Sequence, residues 1–144
     1  MTSSISIDWQ NGAVSVDQIP IALDGGGTSL SPVWIFAKQG KVLPSGITRY
    51  RSAQKASVCG FVADIVVDVK DGALVSIALL FELIEFFDRS ILESKILKVI
   101  EKKSALRANS SHPAIALLGP CPWGKAEFSY DPRQGDLSLL LQYS

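Results

Sequence analysis

A chain of 144 residues with 14 basic and 14 acidic side chains, one histidine and two cysteines is long enough for a single domain that needs no metal or disulfide to close its core. Zero net charge and a pI near 6.6 exclude the basic footprint of a general nucleic-acid binder. The apolar runs, broken at Glu82 and Glu85, fall short of the roughly 20 residues that a membrane-crossing helix requires.

The Met1-Thr2-Ser3-Ser4 start shows no basic region leading into an apolar stretch, so no secretory signal is visible and the expected compartment is the cytoplasm. Ile5, Ile7 and Trp9 then alternate with Ser6 and Asp8 ahead of Asn11-Gly12, a strong hairpin signal. A two-residue turn there would set Trp9 opposite Val14 and Ile7 opposite Val16. Ile19-Pro20-Ile21-Ala22-Leu23 suits an edge strand, since Pro20 cannot donate to a central ladder.

Asp24-Gly25-Gly26-Gly27-Thr28-Ser29 has the glycine amides that can cradle an anion. It lacks the lysine-serine end and the following helix of a phosphate loop, and so reads as a connection into strand-like Val33-Trp34-Ile35-Phe36-Ala37. Gln39-Gly40-Lys41 and Pro44-Ser45-Gly46 turn the chain twice more. Ile47 to Lys55 then carries Arg49-Tyr50-Arg51, and arginine beside an aromatic ring is a mixture enriched at binding interfaces. Trp34, Arg49, Tyr50 and Arg51 are therefore the candidate partner-binding residues.

From Phe61 to Val69 the odd positions are uniformly apolar and Asp64 and Asp68 fall between them; Ala73 to Leu83 reads likewise. A three-residue loop, Lys70-Asp71-Gly72, pairs Val67 with Val75, Ile65 with Ile77 and Ala63 with Leu79, so both apolar faces coincide. A two-residue Asp71-Gly72 loop shifts the pairing by one and sets the aspartates against Val75 and Leu79. The other reading of this stretch is one long helix from Ala73 to Arg107.

Beyond Phe86-Phe87-Asp88-Arg89, Ser90 with Glu93 three residues later has the form of a capping box. Leu92, Ile96, Val99, Ile100 and Leu106 follow at helical spacing, with Lys95, Lys98, Glu101, Lys102 and Arg107 on the other side. This helix is expected to lie on the sheet and to end at Asn109-Ser110-Ser111-His112-Pro113. His112 to Pro122 begins apolar and ends in a rigid proline-rich connection, and its middle reads as one turn of helix or a buried strand. Trp123 to Asp131 and Leu137 to Tyr143 form a last hairpin around Pro132-Arg133-Gln134-Gly135, with Ala126, Phe128 and Tyr130 opposite Leu141, Leu139 and Leu137. The expectation is a single α+β domain over residues 1–144: a mainly antiparallel sheet of hairpins with one long amphipathic helix packed on it.

Little here points to catalysis. His112, the one histidine, precedes a proline in an expected loop; Cys59 and Cys121 lack metal-ligand or redox spacing. Asp64 and Asp68 share a strand face, as surface carboxylates commonly do. No enzyme activity, cofactor or metal is expected. Charge is laid out in blocks: Lys38, Lys41, Arg49, Arg51 and Lys55 without an acid, then Asp64, Asp68, Asp71, Glu82, Glu85 and Asp88 with only Lys70 among them. Such a layout suits a polar partner surface.

The N-terminal hairpin with its Ile5-x-x-Asp8-Trp9 pattern, the helix and the terminal Trp123-Gly124-Lys125-x-x-Phe128-x-Tyr130-Asp131 hairpin together resemble the small immunity proteins that bacteria pair with contact-dependent or type VI secretion toxins. That resemblance implies a cytoplasmic, non-catalytic module that binds a cognate toxin and blocks its active site; the pI and the short apolar runs leave neither nucleic acid nor membrane as an expected partner. Two other classes fit the residues: an effector-loading chaperone or secretion adaptor, and a small-molecule binder or enzyme with a pocket between helix and sheet. The oligomeric state is not readable.

Overall fold

Strand after strand in this chain places apolar residues at every second position, and the fold turns them to one side. The structure is a computed structural model that describes residues 3–21, 41–52, 55–58, 60–81, 93–112, 115–131 and 136–143. Its elements are β1 (Ser3–Asp8), β2 (Ala13–Val16), β3 (Ile19–Pro20), β4 (Lys41–Val42), β5 (Thr48–Arg51), β6 (Ala56–Val58), β7 (Phe61–Lys70), β8 (Ala73–Phe81), α1 (Glu93–Ser104), β9 (Arg107–His112), β10 (Ile115–Cys121), β11 (Gly124–Asp131) and β12 (Asp136–Tyr143). The strands join in the order β3-β2-β1-β6-β7-β8-β12-β11-β10-β9, and β5 pairs both β4 and β7. Among the described residues every ladder is antiparallel except that of β1 with β6, which is parallel.

The expected α+β architecture with a long helix is thus corrected. The molecule is mostly β, a curled mixed sheet forming a half-barrel, and α1, the one helix among the described residues, has 12 residues. Ala73 to Phe81 is a strand, which removes the long-helix reading. The helix stops earlier than its apolar spacing suggests because Ala105 adopts a left-handed φ of 59°. Side chains then satisfy the backbone beyond it: Leu106 N–H donates to Ser104 Oγ at 3.1 Å and Ala108 N–H to Glu101 Oε2 at 3.0 Å. Residues 107–112, expected to finish the helix, instead form β9 at the sheet edge. The Ser90 cap lies outside the described residues.

Cross-strand register shows how the core is assembled. Tyr50, Val67, Ile77, Leu141, Ala126 and Leu118 stand in one row across β5, β7, β8, β12, β11 and β10, and Ile65, Leu79, Leu139, Phe128 and Ala116 in the next. Every one of these side chains is buried, each large one contributing on the order of 1.5–3 kcal/mol. Ile100 joins the same cluster from α1, as do Ile5, Val14 and Val16 from the N-terminal hairpin. The C-terminal hairpin has the expected register, with Leu141 fully buried; its turn, 132–135, lies outside the described residues.

Two other hairpins differ from expectation in instructive ways. The β1–β2 register pairs Ile7 with Val14 and Ile5 with Val16, so the connection is the four residues Trp9 to Gly12. Gly12 N–H donates to the Asp8 carbonyl at 2.7 Å, and the Asp8 and Asn11 side chains accept from Gln10 and Ala13 N–H. The shift is by two, so the inward set is unchanged. In β7–β8 the turn is the two-residue Asp71-Gly72, both at positive φ, with Lys70 opposite Ala73. A bulge then places Leu74 opposite Val69 but Ser76 opposite Asp68, making Val75 the extra residue. Turn chemistry favours Asp-Gly at the tip, core burial requires the aspartates outside, and the bulge satisfies both.

The curl follows from contacts between strands far apart in the sheet order. Tyr143 Oη donates to the Gly12 carbonyl at 2.7 Å, and Trp123 Nε1 to the Trp9 carbonyl at 3.0 Å. The tip of the N-terminal hairpin thereby meets the β11–β12 rim.

Candidate functional site

The outward rows carry the charge. Arg49 faces Asp68 across β5 and β7 and forks onto it, Nε to Oδ1 at 2.8 Å and an Nη to Oδ2 at 2.9 Å. That pairing holds the Arg49 guanidinium above its usual range, through the hydrogen bonds first and the charge second. The Asp68 side chain is only 12% exposed beneath it. Arg51 and Lys55 both reach Asp64, at 3.4 and 3.5 Å. The basic and acidic blocks are therefore partly each other's partners, which narrows the expectation that they wait for an external counter-charge.

Between these pairs runs a half-exposed apolar stripe. Arg51, Val66, Ala78, Leu140, Glu127 and Leu117 form one row over six strands, with Leu80 beside Ala78 on β8. Arg51, at 64% side-chain exposure, stands at one end and Leu117, at 40%, at the other. An apolar centre with a charged rim is the layout of a protein-binding patch. Sequence reasoning missed Val66, Ala78 and Leu140 because they sit on the polar-facing parity of their strands. Only the register across five ladders brings them together.

The four residues singled out from the sequence do not form one site. Arg49 and Arg51 lie on the outer face, Arg49 committed to Asp68. Tyr50 alternates to the other side and is 5% exposed in the core, as period-2 geometry demands of a residue between two outward arginines. Trp34 lies outside the described residues, as do the glycine run 24–29 and Cys59.

Nothing in the described chemistry gathers into a reaction centre. Asp64 and Asp68 each face cations. Cys121 is half-buried, its thiol donating to the Leu118 carbonyl at 3.5 Å, and burial pushes it up, away from the thiolate. His112 ends β9, opposite Ile115. Among the described residues no group of His, Cys, Asp and Glu could hold a metal ion, and no helix is long and apolar enough to cross a membrane.

Two recesses lined by described residues bear on the site. One, of about 460 Å³, follows the β10–β11 irregularity and is lined by Leu117, Gly119, Cys121 and Lys125 among others. The second, of about 420 Å³, is bounded by Ile5, Ser6, Ile7, Trp9, Val58 and Lys103. No protein-family model, curated protein or solved structure matches this chain.

Proposed function

We propose that this chain is a non-catalytic protein-binding module whose contact surface is the outer face of β5, β7, β8 and β12. One observation carries the reading: the Arg51-Val66-Ala78-Leu140-Glu127-Leu117 row, half-buried and apolar at its middle, with Arg51 at one end and Glu127 and the exposed Leu117 towards the other. The resemblance of the N-terminal hairpin, the helix and the terminal hairpin to immunity proteins supplies the class of partner, a toxin neutralised in the cytoplasm by covering its active site. Arg51, whose side chain is 64% exposed while it reaches Asp64 at 3.4 Å, favours an acidic patch on that partner, with encounter slowed by added salt.

The test is capture of a folded stoichiometric partner from the native cell, followed by calorimetric titration of that partner at low and high salt. Arg51→Glu and Leu140→Glu should each weaken binding by about tenfold or more, about 1.4 kcal/mol, and Arg51→Glu should also flatten the salt dependence. If both variants bind like the parent protein, the outer face is not the interface.

A further inference from the structure

We propose that the notch beside β1 accepts an extended acidic segment of a partner protein as an added strand. The parallel ladder of β1 with β6 covers only Ser3 with Ala56 and Ser4 with Ser57. Beyond it β6 turns back into β7, Val58 pairing with Phe61, while β1 continues to Asp8. Among the described residues no strand pairs with Ser6 to Asp8 on that side.

Hydrogen bonds show which backbone groups face the gap. Ser4 uses both its groups on the β2 side, its carbonyl accepting from Asp17 N–H and its N–H donating to Asp17 Oδ1, each at 2.8 Å, and the Asp8 carbonyl accepts from Gly12. By alternation the Ile7 N–H and C=O point away from β2, into the recess. The Trp9 carbonyl points the same way and is met by Trp123 Nε1.

The recess has the size and lining for such a segment. Its volume is about 420 Å³, and its walls are Ile5, Ile7, Trp9 and Val58 with Lys103 from the last turn of α1. From Ile5 to Trp9 the wall is about 13 Å long, five extended residues. An incoming strand would meet the Ile7 backbone with its own and place every second side chain on the apolar wall. Lys103, exposed and in no ion pair among the described residues, selects a carboxylate at an inward position. This proposal uses a different edge of the sheet from the outer-face reading and does not depend on it.

The probe is a capped, fluorescently labelled peptide, Glu-Thr-Val-Thr-Val-Thr-Glu, which offers valines inward and a glutamate near Lys103 whichever way it runs. Anisotropy should show saturable binding in roughly the micromolar range. Lys103→Glu, and separately replacement of both peptide glutamates by glutamine, should weaken it by about tenfold. Lys103→Ala is the milder second variant, and both should keep the parent unfolding midpoint. Exchange of the Ile7 amide, fast in the free protein, should slow on binding, and Arg51→Glu should change nothing. Any of four results overturns the proposal: no binding; binding indifferent to Lys103; protection at β9 or β3 in place of Ile7; or filling of the recess by hexanoate or by a second copy of the chain, the latter seen as concentration-dependent dimerisation lost in Lys103→Glu.

Discussion

Tyr143 shows how one side chain ties sequence ends to fold closure. Its ring tilts against Trp123 with centroids 5.5 Å apart, its hydroxyl donates to Gly12, and burial pushes its phenol up to about 12. In the unfolded chain the phenol ionises near 10, so between these values the native state holds a proton that the unfolded state has lost. Stability from this group is fully present below pH 10 and is lost as pH rises through about 12. Urea midpoints should therefore be level towards pH 10 and fall above it. Tyr143→Phe should remove this contribution to the fall and cost about 1 kcal/mol at neutral pH, through the unpaired Gly12 carbonyl. Two glycines belong to the same closure. A side chain at Gly12, where φ is 77°, would enter the Trp123 ring, and one at Gly124 would overlap the Gln142 carbonyl. The Asn-Gly signal located a turn, but neither close approach has a signature in the residues themselves.

At the scale of the element, local rules, burial parity and the conflict between them were legible, and its resolution was not. Asp71-Gly72 is a two-residue turn sequence, while Phe61 to Val69 and Ala73 to Phe81 require an even register. The bulge that reconciles them is not written in any motif. Deleting Val75, the extra residue, should leave the Asp71-Gly72 turn and the Val69–Leu74 and Asp68–Ser76 pairs in place as a regular ladder, with cooperative unfolding in urea retained and stability changed by only about 1 kcal/mol. The helix end gives the opposite case. Ala105 occupies a position where glycine is the usual residue, which is why apolar spacing ran past it. Ala105→Gly should raise stability by about 0.5–1 kcal/mol, read as a higher urea midpoint with unchanged slope.

For the whole molecule, the sheet stays curled only while its two remote rims remain joined through Trp9, Gly12, Trp123 and Tyr143. Removing residues 142–144 takes away the Tyr143 hydrogen bond and the Gln142 pairing with both Ser76 and Lys125. The truncated chain should lose about 3 kcal/mol or more and bind a hydrophobic dye as the inner face opens. Strand alternation, the last hairpin's register and the inward leucines follow from the residue order alone, because period-2 burial is a local property of a half-buried strand. The candidate face does not. Its members come from β5, β7, β8, β12 and β11, separated by long stretches of chain, and what makes them neighbours is the order in which the strands pair. Likewise the self-pairing of the charge blocks and the notch beside β1 exist only once β5 and β6 share β7 as their common neighbour. That long-range choice of partner belongs to the packed core as a whole, and no single stretch of sequence encodes it.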